Sequence, residues 1–130
     1  ESICSKGMLL PNGVEGHVAS VLQYSDGRIA QLTSSLMSDA GEDARIVGTA
    51  GYIDIESSFW CPDRAWIVRP DVEPELVEVR KTGHGYVHML EAVRDAVNAG
   101  QLSCAAHPPQ QAVRIMGILD DMRSQVFARA

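Results

Sequence analysis

Aromatic side chains are scarce in this chain, at 5% of 130 residues, and long apolar runs are missing altogether. No stretch approaches the roughly 18 apolar residues of a membrane-spanning helix, so the bilayer is excluded as a partner of this segment. No charged-then-apolar leader of a secretory signal is visible. Basic charge is also short: eleven Lys and Arg stand against seventeen Asp and Glu, for a net charge of −6. With a pI near 5.1 and the cations scattered singly, the basic stripe that neutralises phosphates is missing, and a nucleic acid is excluded as a partner. Cysteine is limited to Cys4, Cys61 and Cys104, an odd number at wide spacing. That pattern makes neither a disulfide framework nor a zinc site; it fits free thiols in a reducing cytoplasm, the expected location. The chain opens on Glu1 without an initiator methionine, as expected of an excised or trimmed piece.

A hydrophobic content of 45% is enough for one core, and the length is that of one domain spanning residues 1–130. The first eighty residues read as strands. Val14 to Tyr24 and Arg28 to Ser38 flank Ser25-Asp26-Gly27, with Asp-Gly where a tight hairpin needs it. In the second arm Ala30, Leu32, Ser34 and Leu36 alternate with Gln31, Thr33 and Ser35, so one face is apolar and the other polar. Ala44 to Gly48 and Tyr52 to Glu56 form a second hairpin around Thr49-Ala50-Gly51. Trp66 to Arg69 and Leu76 to Val79 form a third pair, and Ile3 to Leu10 a further strand. Short connections favour an antiparallel meander.

Two helices follow. Tyr86, Leu90, Val93 and Val97 share one face of the first, which Gly100 stops. Pro108-Pro109 opens the second, whose stripe is Ile115, Leu119, Met122 and Val126. Strands followed by helices predict an α+β fold: an open, mainly antiparallel six-strand sheet with both C-terminal helices packed on one face. The other face must meet water or a partner, and a homodimer through that sheet face is expected.

One stretch invites a cofactor reading. A strand runs into Gly83-His84-Gly85 and a helix follows, the outline of a dinucleotide-binding turn. The third glycine position holds His88, no acidic residue follows about twenty residues on, and the preceding strand is charged at Glu75, Glu78 and Arg80. The glycines therefore read as a flexible break before a helix, and no cofactor-binding residue is assigned. His84 and His88 stand at i,i+4 without a third ligand, so no metal is assigned; a capping or packed imidazole is the simpler reading. Nothing in the neighbours of Cys61, Trp60 and Pro62, would activate it as a nucleophile. Tyr52, Phe59, Trp60 and Trp66 gather along one stretch and read first as core, with a ligand-facing Trp as the alternative.

Several of these stretches, in their order, resemble a known family. "ARIVGTAGYIDI" (Ala44 to Ile55) resembles the strand, Gly-Thr-x-Gly, strand hairpin of the Gfo/Idh/MocA oxidoreductases. "GHGYVHMLEAVRDAVNAGQL" is similar to that family's Gly-x-Gly and helix, and "HPPQQAVRIMGILDDMRSQ" to its last helix, with Leu119-Asp120 near Arg123. The Asp-Gly hairpin followed by "AQLTSSL" fits the same register, and "FWCP" is similar to the subgroup containing dimeric dihydrodiol dehydrogenase. The chain departs from the family at His88-Met89-Leu90 and at Gln111-Ala112.

The resemblance implies the C-terminal, substrate-binding and oligomerisation domain of a two-domain NAD(P)-dependent dehydrogenase, whose N-terminal Rossmann domain is absent from this chain. It implies a sugar, polyol or related hydroxylated substrate, NAD or NADP bound by the full-length protein but not by this chain alone, and catalytic residues that lie elsewhere. It places Trp60, His84 and Tyr86 as substrate-lining candidates. The competing reading is a non-catalytic interaction and dimerisation module that uses the sheet face alone.

Overall fold

A computed structural model describes residues 2–128. Seven strands precede two helices: β1 (Ser2–Leu9), β2 (Glu15–Gln23), β3 (Ile29–Ser35), β4 (Ala44–Gly48), β5 (Gly51–Ile55), β6 (Arg64–Val68), β7 (Glu75–Glu78), α1 (Tyr86–Asn98) and α2 (Pro109–Phe127). They divide into two compact units, Glu1–Ala40 with His107–Ala130, and Gly41–Ala106.

In the first unit β1, β2 and β3 form an antiparallel sheet in that order. The β2–β3 turn closes locally: the Arg28 N–H and guanidinium both donate to the Asp26 carboxylate, and Arg28 lies over the Tyr24 ring. Those bonds, the backbone N–H first, hold the Asp26 carboxyl below its ordinary pKa. The register pairs Leu22 with Ala30, Ser20 with Leu32 and Val18 with Ser34, so the apolar arm read from the sequence shares a face with Ser5 and Ser20.

Helix α2 packs on that face, chiefly against β1 and only marginally against β2. Small residues let it approach. A Cβ on Gly7 would sit 2.5 Å from the His17 carbonyl oxygen on β2, 3.1 Å from Val18 Cγ2 and 3.2 Å from Val126 Cγ1, so both the neighbouring strand and the helix lie close over this position. Ser5 and Ser20 lie buried beneath the helix with their hydroxyls 2.7 Å apart, so each satisfies the other. Leu22, Met122 and Val126 are the buried apolar side chains beside them. Gln125 ties the helix to the outer edge of β1. Its Oε1 accepts the Ser5 N–H at 2.9 Å, and its Nε2 donates to the Ile3 carbonyl at 3.0 Å. The carboxamide thus supplies the donor and acceptor that a further strand would otherwise bring.

In the second unit β4, β5, β6 and β7 form an antiparallel meander. Ile46, Ile53 and Ile67 stand in register across three strands, giving one face an aliphatic row. The opposite face is mixed, with Val47, Tyr52, Trp66 and Val68 around an ion pair: Arg45 forms a bidentate pair with Asp54 on the neighbouring strand and lies 4.5 Å from the Tyr52 ring centroid. Asp54, by hydrogen bond and then by charge, raises the Arg45 pKa above its ordinary value. Helix α1 ends where the sequence places its stop, with Gly100 at a φ of 66° and its N–H on the Val97 carbonyl.

Two expectations are corrected. The strands do not form one six-strand sheet; they form a three-stranded and a four-stranded sheet. The turns at Asp26-Gly27 and Thr49-Ala50 impose pairing within each sheet. The connection through residues 36–43, rich in Ser, Asp, Gly and Glu, has no such turn, and β3 pairs only with β2 while β4 pairs only with β5. Nor do both helices cover one sheet face. Among the described residues only α2 packs on strands; α1 has no buried residue, and Tyr86, Leu90, Val93 and Val97 all stay exposed.

Candidate functional site

The three sequence-predicted site residues lie in the second unit, on two segments that meet. Trp60 belongs to the loop between β5 and β6, and His84 and Tyr86 to the turn that opens α1.

The loop departs from β5 at Glu56, whose carboxylate accepts the Trp66 indole N–H at 2.8 Å. It then folds on Glu42. The Glu42 Oε2 accepts hydrogen bonds from the Ser58 hydroxyl at 2.8 Å and the Ser57 hydroxyl at 3.3 Å, and its carbonyl accepts the Phe59 N–H at 2.9 Å. The Cys61 N–H closes a turn onto the Ser58 carbonyl. Between these anchors the Phe59 and Trp60 rings meet edge to face, centroids 5.4 Å apart.

The second segment returns along the same loop. The Val79 N–H donates to the Asp63 carbonyl at 2.8 Å, and Lys81 Nζ lies 3.5 Å from the Asp63 carboxylate. The chain then turns through Gly83 and Gly85, both at positive φ (64° and 88°), and Gly85 caps α1. A side chain at Gly85 would have its Cβ 3.0 Å from Cys61 Sγ, so the backbone of the His84-Gly85-Tyr86 turn lies directly on Cys61. That position requires glycine twice over, for its left-handed φ and for the close approach.

Several side-chain readings change. Phe59 and Trp60 are not core: Trp60 is 61% exposed and Phe59 49%. Their loop is held by polar contacts to Glu42 beyond the strand ends, so burial does not claim the rings. Trp66 and Tyr52, by contrast, are half-buried on the sheet. The α1 cap is the Gly85 backbone, without a side-chain cap bond; His88 instead lies 3.6 Å from the Glu91 carboxylate. Among the described residues no cluster of three or more His, Cys, Asp or Glu is arranged to hold a metal. Sequence reasoning missed Glu42, Ser57, Ser58 and Asp63. Glu42 sits in an acidic connection that reads as solvated linker, and no local pattern signals a carboxylate paired 15 or 16 positions away.

An exposed indole beside a turn bearing an imidazole and a phenol can pack on an apolar ring and exchange hydrogen bonds with hydroxyls. A groove of about 450 Å³ lies elsewhere, in the first unit between β2, β3 and α2, and none of these residues lines it.

No family model matches the chain. It is 28% identical over 131 residues to a trans-1,2-dihydrobenzene-1,2-diol dehydrogenase of Xenopus tropicalis, and 29% identical over 133 residues to that of Danio rerio. Each match covers 97% of this chain. A Xenopus laevis protein of the same name is 37% identical over 62 residues, 48% of this chain. The chain is thus similar to part of the dihydrodiol dehydrogenases over nearly its whole length. This bears out the resemblance read from the hairpin, the Gly-x-Gly turn, the last helix and Phe59-Trp60-Cys61-Pro62. The chain spans only 40% and 39% of the length of the first two relatives. Among the described residues, no helix is long and apolar enough to cross a membrane.

Proposed function

We propose that this chain is the C-terminal, substrate-binding and oligomerisation part of a longer NAD(P)-dependent dehydrogenase acting on a cyclic diol, sugar, polyol or related hydroxylated compound. The observation that carries the reading is the seating of Gly85 on Cys61, which joins the exposed Trp60 loop to the His84 and Tyr86 turn. The relatives' name supplies the substrate class: trans-1,2-dihydrobenzene-1,2-diol combines an apolar ring with two hydroxyls. Trp60 would take the ring, and His84 and Tyr86 the hydroxyls. Hydride transfer needs a nicotinamide held against that carbon, and the cofactor and the catalytic acid or base would sit on the remaining part of the polypeptide.

In the full-length enzyme, Trp60→Ala should raise KM for trans-1,2-dihydrobenzene-1,2-diol about fivefold, the weight of one aromatic contact, with kcat little changed. A folded variant with an unchanged KM would overturn the assignment. The 130-residue chain alone should bind neither NAD(H) nor NADP(H); a micromolar Kd by calorimetry would contradict the division of labour.

Self-association would use the face of the three-stranded sheet opposite α2. There His17, Gln31 and Thr33 mingle with the exposed Met8, Val21 and Ile29, a mixture of polar and apolar groups suited to a two-fold contact. Thr33→Arg should convert a dimer to a folded monomer in sedimentation at micromolar concentration. A wild-type monomer under those conditions would exclude this interface.

A further inference from the structure

We propose that Glu42 is a positioning residue for this site, holding the loop that presents Trp60 to substrate. This rests on the reading of Trp60 as a substrate contact. Burial does not fix the loop, since both of its aromatic rings stand substantially in solvent. Polar contacts do, and on the β5 side they converge on one residue. Glu42 receives hydrogen bonds from Ser57, Ser58 and Phe59 in succession, two through its carboxylate and one through its carbonyl. The Cys61 N–H on the Ser58 carbonyl passes that constraint across Trp60, and Phe59 backs the indole edge to face. The far side of the loop is held independently by Asp63, through the Val79 N–H and Lys81. Removing the Glu42 carboxylate therefore loosens the Ser57 and Ser58 end of the Trp60 side, while the Phe59 N–H bond to the Glu42 carbonyl, the Cys61 seat on Gly85 and the Asp63 anchor stay in place. Solvent reaches the clamp, so the effect is moderate.

The test uses the full-length protein with trans-1,2-dihydrobenzene-1,2-diol as substrate, and compares Glu42→Ala, Glu42→Gln, Ser58→Ala and Trp60→Ala. Amide exchange of peptides covering residues 57–61 should quicken about fivefold in Glu42→Ala, with residues 44–55 and 64–68 unchanged. KM should rise by a similar factor with kcat within about twofold, and Glu42→Gln, which keeps an acceptor oxygen, should recover most of both. Ser58→Ala, which leaves Glu42 intact, should reproduce the faster exchange in part. Unchanged exchange at residues 57–61 overturns the clamp. A KM raised by Trp60→Ala but unmoved by Glu42→Ala overturns the positioning role and leaves the substrate site standing. Faster exchange with KM indifferent to both substitutions overturns the site reading, and the positioning role with it.

Discussion

Removing the Gln125 carboxamide should loosen the attachment of α2 to the sheet. Strand β1 is an edge, and its outward Ser5 N–H and Ile3 carbonyl are met by Gln125 at 2.9 and 3.0 Å. Each such bond contributes about 0.5–1.5 kcal/mol net, so two bonds set a range of roughly 1–3 kcal/mol for Gln125→Ala. The side chain is only half-buried, so water can reach the abandoned backbone groups, and the expected loss lies near 1.5 kcal/mol. At about 4 °C for each kcal/mol in a chain of this size, Tm should fall by about 6 °C. Gln125→Glu sharpens the test. At neutral pH its carboxylate still accepts from Ser5 but faces the Ile3 carbonyl with no proton to donate, so it should be no more stable than Gln125→Ala. On acidification through the carboxyl pKa it regains a donor, and should recover relative to wild type as Gln125→Ala does not. Urea unfolding followed by circular dichroism across pH reads both variants. A Gln125→Ala protein within about 0.3 kcal/mol of wild type would refute the reasoning, because even the weaker end of two hydrogen bonds exceeds that.

Three further outcomes are expected. Gly7→Ala should destabilise the first unit by about 1–3 kcal/mol, because the added methyl would lie 2.5 Å from the His17 carbonyl oxygen on β2 and also press on Val126; an unchanged urea midpoint would show that the β1–β2 pair can shift without cost. Gly85→Ala should fray the start of α1 by roughly 1–2 kcal/mol of left-handed strain, and pairing it with Cys61→Gly, which removes both the Sγ and the Cβ that the new methyl meets, should relieve only the steric part; amide exchange over the first helical turn measures both. Because the folded pKa of Asp26 is lowered, its contribution is complete above the ordinary carboxylate value of 3.8 and is lost as pH falls through the folded value. The Gly27 and Arg28 amide resonances should therefore titrate below that value, and Asp26→Asn should abolish the inflection.

What the sequence disclosed and what it withheld follow the range of the forces involved. The Asp26-Gly27 and Thr49-Ala50 turns act over a few residues, so both hairpins could be read directly, although Gly51, read as part of the second turn, pairs with Gly48 and opens β5. The helix limits at Tyr86, Gly100 and Pro109 were equally local, set by glycine conformation and by proline. The surface beneath α2 was not legible, because Ser5, Gly7 and Ser20 have no apolar signature; they lie under the helix because they are small and because two hydroxyls can satisfy each other. The sheet was read as continuous because strand patterns say which residues can pair, while β3 and β4 have no turn between them to make them do so.

The candidate site divides along the same line. Trp60, His84 and Tyr86 could be named from residue types and a family likeness, but the contact that joins their segments links Cys61 to Gly85 and involves no side chain on one partner. A glycine's missing atom leaves no trace in a hydropathy pattern. Glu42 was hidden for the converse reason: its carboxylate is an ordinary surface group until Ser57 and Ser58 are folded back onto it across a whole hairpin. Three-dimensional placement turned a linker acid into the one residue that meets three successive loop positions, and for that reason the substitution most informative about this site is at a residue that would not touch the substrate.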